Sequence, residues 1–233
     1  GIRTCTETSE VDSATVMITA HGASDRRLAA LRARDLRVLN ATCPLVRAAH
    51  QAVARLAADG CHPVIVGQPG HVEVRGLTED LQAYDVVLGD EDVDRLQERP
   101  RFGVAAQTTQ PVERLYRVAA LIQRRFPGSD VQVTNTVCVP TRLRQQSADE
   151  LARTADVVIV VGGARSNNTR ELAATCRRHC PRVFHVQSAA DVRAEWIQGA
   201  GLVGITAGTS TPDAIIDGVE HAVRALKARG AAA

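Results

Sequence analysis

Val64-Ile-Val-Gly-Gln-Pro-Gly-His-Val-Glu73 and Ile159-Val-Val-Gly-Gly-Ala-Arg-Ser-Asn-Asn168 stand 95 positions apart and read alike. Each apolar run ends on a glycine, Gly67 or Gly162, and passes into a polar cluster in which Ser166 and Asn168 occupy the places of His71 and Glu73. A short run of β-branched residues closed by glycine reads as a buried strand that ends in a turn. The offset also holds upstream, where Asn40-Ala-Thr-Cys43 matches Asn135-Thr-Val-Cys138 after a further apolar run. A chain that twice delivers a cysteine and then a polar cluster from equivalent turns aims both units at one shared centre.

Outward from this pair, apolar strands alternate with polar helical stretches, the pattern of a parallel α/β fold. Strands are expected at 15–19, 37–39, 63–66, 85–88, 102–105, 131–134, 157–161, 183–186 and 202–205. Helices are expected at 45–58, 111–126, 142–154, 168–180 and 212–229, the last with Ile215, Ile216, Val219, Val223 and Leu226 on one face. Several strands end in small polar turns, at 19–24, 107–109, 163–168 and 206–212. Open α/β sheets bind ligands beyond the carboxyl ends of their strands, and helix N-termini there favour phosphate. The chain thus holds two complete repeats, 43–110 and 138–210, and before them the back half of a third. The expected division is 1–43, 44–135, 136–212 and a C-terminal helix, 213–233, packing back on the first unit.

Composition narrows the function classes. At 233 residues the chain can bury a sizeable core, built from Val, Ala, Leu and Ile because aromatics are only 3%. A net charge of +2 argues against a nucleic-acid or membrane-binding electrostatic surface. No stretch approaches the ~20 apolar residues of a membrane span, and no signal-like segment opens the chain, so it reads as cytoplasmic. Six cysteines in such a protein read as thiols or ligands rather than disulfides.

Cys43 and Cys138 sit at strand ends beside polar turns, where thiolates can hold a metal; buried core thiols are the alternative. Two thiolates fall short of the three or four that iron–sulfur or zinc sites take. Cys5 lies in an extended segment, Cys61 at the wrong end of its strand, and Cys176 and Cys180 on a helix face near His179. In Gly-His-Val-Glu-Val (70–74), alternation puts His71 and Glu73 on one side of an extended turn, as anion binder and proton donor. A solvated loop carboxylate beside a chance histidine is the competing reading. His21 is a binder, a cap or a core residue, and Ser166, Asn167 and Asn168 suit a helix cap with or without a bound phosphate. His50, His62, His179, His185 and His221 lie in or beside helices and strands and read as structural or surface.

Ala-His-Gly (20–22), Ala-Thr-Cys-Pro-Leu-Val (41–46), Gly-His-Val-Glu-Val (70–74) and Gln-Thr-Thr (107–109) are followed by Thr-Val-Cys (136–138), with Thr141 and Arg144-Gln145. Gly-Gly-x-x-Ser-Asn-Asn (162–168) and Thr-Ala-Gly-Thr-Ser-Thr-Pro (206–212) complete the series. In this order they resemble the 4-hydroxy-3-methylbut-2-enyl diphosphate reductases, the IspH/LytB family. The resemblance implies a trefoil of three similar parallel α/β units around a central site, with the first unit incomplete. It implies a 4Fe–4S cluster held by three cysteines, of which Cys43 and Cys138 are two and the third is absent from this chain. By motif, Glu73 is the proton source and Thr108 positions substrate and water. His21, His71, Ser166, Asn168 and Ser210 hold the diphosphate, with Asn167 and Thr141 close by. The implied partners are an allylic diphosphate substrate and an external electron donor such as ferredoxin or flavodoxin, with no nucleic acid and no membrane.

The sequence departs from the family at a few places. Val72 stands where the family usually has Pro, Asn167 where it commonly has Ser, and Thr141-Arg-Leu-Arg-Gln145 replaces Thr-x-Asn-Arg-Gln. No Gly-Phe-Cys-Ala-Gly-type segment with the first cluster cysteine is found. Exposed edges and an uncovered core face are expected in the first unit, and little or no activity from this polypeptide alone. A shortened reductase, a chain completed by a second polypeptide or an oligomeric partner, and a noncatalytic diphosphate binder are the three readings this leaves.

Overall fold

The computed structural model describes residues 2–231, with side chains through residue 228. The chain divides into two compact units, Gly1–Val137 and Cys138–Ala233. In the first, a 3-10 turn at Thr8–Glu10 leads to β1 (Thr15–Ile18), α1 (Asp25–Arg32), β2 (Arg37–Asn40) and α2 (Pro44–Ala58). There follow β3 (His62–Val66), α3 (Val72–Thr78), β4 (Asp85–Val87), α4 (Asp90–Val93), β5 (Arg101–Ala106), α5 (Val112–Arg125) and β6 (Asp130–Thr134). The second unit runs α6 (Val139–Thr154), β7 (Val157–Val161), α7 (Asn167–Arg177), β8 (Val183–Val186), α8 (Ala194–Ile197), β9 (Val203–Ala207) and α9 (Asp213–Ala231). Each expected strand is present, its ends shifted by at most two residues.

The strands form three sheets, all parallel: β1-β2, β4-β3-β5-β6 and β8-β7-β9. Parallel strands covered on both faces read as unbroken apolar runs, and β3 and β7 are of that kind. Val64, Ile65 and Val66, and all five residues of β7, are fully buried. The pleat then sorts them by parity. Val64, Val66, Phe102 and Val104 meet Leu115, Val118 and Ile122 of α5, whereas Ile65 and Ala105 meet α2 and α3 through Val53, Leu56, Val74 and Leu77. In β7, Val158 and Val160 pack on Ala148 of α6 and on Leu172 and Cys176 of α7. Val157, Ile159 and Val161 pack on Ile197 of α8 and on Val219 and Val223 of α9.

The helix α9 inserts its buried Val219 and Val223 into the β7–β9 core of its own unit, covering that sheet's second face. Residues 70–74 were expected to be extended, yet they enter α3, with His71 as N-cap and Val72 and Glu73 in the first turn. The short helices α1, α4 and α8 lie where no helix was expected.

The β1–β2 ribbon rests Ile18 on Val11 and Leu31, with Val16 and Val38 packed alongside. Its other face carries the paired residues Met17 and Leu39, 52% and 45% exposed. In the second unit Phe184 of β8 stacks on Trp196 of α8, with ring centroids 4.3 Å apart and nearly parallel planes.

Candidate functional site

Both cysteine junctions are built by the same local device. The Asn40 Oδ1 accepts the Thr42 N–H at 3.0 Å, and the Asn135 Oδ1 accepts the Val137 N–H at 3.0 Å. Such Asx turns end a strand and set the next residue up as a helix cap. Cys43 and Cys138 are accordingly the N-cap residues of α2 and α6, each with a proline in the first helical turn and neither capping through its side chain. Both thiols are half-buried. In the first unit the Cys43 N–H donates to the Ala20 carbonyl at 3.0 Å, fastening this junction to the residue before His21. In the second, Cys138 Sγ lies 2.9 Å from Thr141 Oγ1, and Thr141 is buried one turn along α6. Among the described residues no three or more His, Cys, Asp or Glu side chains gather as a metal site.

The acid of the first unit is Glu73. It is 1% exposed, and its Oε1 accepts the backbone N–H of Thr108 at 2.7 Å. Burial pushes its pKa up, against the smaller opposing effect of hydrogen bonds from the Thr108 backbone and side chain. The carboxyl is therefore tuned toward holding a proton, and the solvated-loop reading is excluded. His71 caps α3 by accepting the Glu73 N–H on Nδ1 at 3.1 Å. With Nδ1 so engaged, a proton on the neutral ring sits on Nε2. His21 meets it edge to face at 5.5 Å between ring centroids, and its Nδ1 is 3.3 Å from Thr19 Oγ1. Although the His21 residue is exposed at its edge, the surrounding protein lowers its pKa by desolvation.

His21, His71, Glu73 and Thr108 are thus linked within the first unit. A residue without an assigned role connects them further. Gln107 is fully buried; its Oε1 accepts from Gln68 N at 3.1 Å and its Nε2 donates to Thr109 Oγ1 at 3.1 Å. It ties the turn after β3 to the turn after β5. Polar residues closing a strand were the available signal, but a bridging amide is recognised only by its partners.

In the second unit, β7 and β9 end side by side at Val161 and Ala207. Ser166 caps α7 by accepting the Thr169 N–H at 3.3 Å. Asn167 and Asn168 are 5% and 7% exposed, and Asn168 Nδ2 donates to Thr209 Oγ1 at 3.2 Å, drawing the 208–211 turn against the helix start. The buried Asn168 Oδ1 has no hydrogen-bond partner among the described residues. Ser210 is exposed on that turn. Gly162 has φ +155°, and a β-carbon there would stand 2.5 Å from Thr169 Oγ1, so glycine is required. Ser166, Asn168 and Ser210 consequently share one strand-end cluster at the N-terminus of an eleven-residue helix, a setting suited to anionic oxygens.

Of the histidines read as structural, His62 and His179 bond to Asp85 and Asp149, and His185 and His221 to the Gly162 and Asp217 carbonyls. No described helix is long and apolar enough to cross a membrane.

The family described as LytB protein matches residues 1–224. The 4-hydroxy-3-methylbut-2-enyl diphosphate reductase of Pelobacter propionicus is 39% identical over 220 residues, covering 94% of this chain and 78% of that one. A solved structure titled as (E)-4-hydroxy-3-methyl-but-2-enyl diphosphate reductase, the terminal enzyme of the non-mevalonate pathway, is 39% identical. It covers 91% of this chain and 76% of that chain, with a TM-score of 0.59. The reductase structure from Plasmodium falciparum shares the fold, with a TM-score of 0.80 at 24% identity, over 87% of this chain and 65% of that one. The chain belongs to the LytB protein family.

Proposed function

We propose that this protein is an iron–sulfur reductase that removes the hydroxyl of 4-hydroxy-3-methylbut-2-enyl diphosphate to give isopentenyl and dimethylallyl diphosphate. The observation that supports it most strongly is Glu73, a buried carboxyl with a raised pKa whose Oε1 is held by Thr108. Family membership supplies the reaction; the two histidines beside this acid suit the diphosphate.

The cysteines fit part of the cluster's ligand set. Cys43 in one unit and Cys138 in the other each stand half-buried at a helix N-cap with the sulfur unused for capping. Cys61, Cys176 and Cys180 are buried, and the Cys5 thiol bonds to the Glu10 carbonyl at 3.6 Å. These two thiolates are one short of the three that the family resemblance implies, and a complementing chain is the proposed source of the third. When bound, the cluster supplies the electrons and, at an iron without a cysteine ligand, Lewis acidity toward the leaving oxygen.

The remaining steps belong to this chain's side chains. Glu73, whose Oε1 accepts the Thr108 N–H, delivers a proton to the departing hydroxyl oxygen. The C–O bond breaks and water leaves; two electrons enter, and a second proton ends on the carbon skeleton. Thr108 keeps the acid in place and orients the water. His21 and His71 in the first unit, and Ser166, Asn167, Asn168 and Ser210 in the second, donate to diphosphate oxygens. Thr141 lies beside the Cys138 sulfur and adjusts its surroundings. The electron donor is a small redox protein of the ferredoxin or flavodoxin kind, and the setting is the cytoplasm.

Anaerobic reconstitution tests the reading. About four irons per complemented chain, with turnover under a chemical reductant that falls by ~10²–10⁴ in Glu73→Gln, is the expected result. A folded chain that binds inorganic pyrophosphate yet takes up no iron under any complementation would sink it.

A further inference from the structure

His50 lies on α2, two helical turns after Cys43, and its Nε2 is buried without a hydrogen-bond partner among the described residues. A buried imidazole nitrogen left unpaired costs free energy, so its retention calls for an explanation. Two backbone positions supply one. A β-carbon at Gly22 would stand 3.2 Å from His50 Nε2, and one at Gly76 would stand 3.1 Å from Cε1 and 3.3 Å from Nε2. The tip of the ring therefore fills a slot whose two walls both lack side chains.

The walls are not arbitrary. Gly22 directly follows His21, and its φ of +75° already favours glycine. Gly76 lies on α3 three residues after Glu73, and a β-carbon there would also come within 3.7 Å of the Ala23 Cα. The His21 turn and the helix that carries Glu73 thus approach each other around the ring of His50. Burial lowers the pKa of His50, against weaker opposing influences from Asp25 and Asp80, in keeping with a neutral ring that fills space.

We propose that His50 is a positioning residue: its ring, seated between Gly22 and Gly76, sets the spacing between the His21 turn and α3, and with it the contact of His21 with His71. The consequence for ligand binding rests on the proposed diphosphate role of those two histidines; the geometric claim does not. The edge of a flat ring fits between two positions that carry no side chain, Gly22 and Gly76. Glutamine keeps the reach to the Nε2 position, and alanine empties it.

The test follows the histidine ring signals of the full chain by NMR, with His21 and His71 assigned through His21→Gln and His71→Gln. Replacing His50→Ala is expected to shift both signals, and His50→Gln to shift them less. Gly76→Ala should also displace them, and combining it with His50→Ala should return them toward the original positions. Titration with inorganic pyrophosphate is expected to weaken roughly tenfold in His50→Ala, since small misplacements of binding groups carry such costs, and to recover in His50→Gln. Ring signals of His21 and His71 that superimpose on the parent in both folded His50 variants would overturn the proposal. So would unchanged pyrophosphate affinity in His50→Ala, given a parent chain that binds. A parent that binds no pyrophosphate would instead remove the diphosphate reading of His21 and His71, and the ring signals would still decide the role of His50.

Discussion

The turn from Gly67 to Glu73 and the turn from Gly162 to Asn168 are the same device with different chemistry. Each leaves the buried carboxyl end of a central strand and enters a helix capped by a side chain, His71 in one and Ser166 in the other. At the matched position one carries a buried acid and the other a buried amide. Desolvation pushes the pKa of the acid up, against the opposing hydrogen bonds from Thr108. The amide is held by Thr209 and keeps one acceptor unpaired. A common scaffold thus presents a buried acid in one turn and a neutral amide in the other by a single residue choice, Glu73 against Asn168.

The largest expected effect breaks the first half of that comparison. Glu73→Gln keeps the shape and removes the proton, and turnover should fall by ~10²–10⁴. Its stability profile gives an independent check. A carboxyl whose folded pKa is raised contributes stability below its unfolded pKa, and that contribution is lost as pH rises through the folded value. Glu73→Gln should therefore be at least as heat-stable as the parent at pH 8, with the difference vanishing near pH 4; a lower melting temperature at pH 8 would contradict the assignment.

Gly162→Ala should be next, destabilising by about 2–3 kcal/mol because the new methyl meets Thr169 and the backbone is strained. Denaturant midpoints measure it. Gly67→Ala should cost less, since its obstacles are the Val74 and Gln107 side chains and its φ is ordinary. In the second turn, Asn168→Ala should raise KM about tenfold with kcat little changed, the signature of lost uniform binding. A proportional fall in kcat would move Asn168 into the chemistry. The smallest effect is expected at Val72, 46% exposed at the first helical position, where Val72→Pro should be neutral or stabilise by up to ~1 kcal/mol.

Much of the fold was legible because its central strands are runs of Val and Ile buried on both faces, as at Val157–Val161. The long amphipathic helices were equally plain. The helix α3 was hidden: it has seven residues, a glycine within it and too few apolar positions to display a period. That error carried over to Glu73, whose burial follows from the helix start and from Thr108 across the sheet rather than from its neighbours in sequence. The motifs named the residues of the candidate site. Their tuning was not readable, because desolvation, the bridging amide of Gln107 and the slot around His50 all depend on partners distant along the chain.

The stacked Phe184–Trp196 pair has a use in watching this protein unfold. Trp196 is the chain's one tryptophan, and it lies in the Cys138–Ala233 unit, whereas both tyrosines, Tyr84 and Tyr116, lie in Gly1–Val137. Nature has thus fitted each unit with a separate optical reporter. Indole emission follows one half and tyrosine absorbance the other, so the coincidence or divergence of the two signals in one denaturant series measures whether the halves melt as one cooperative body.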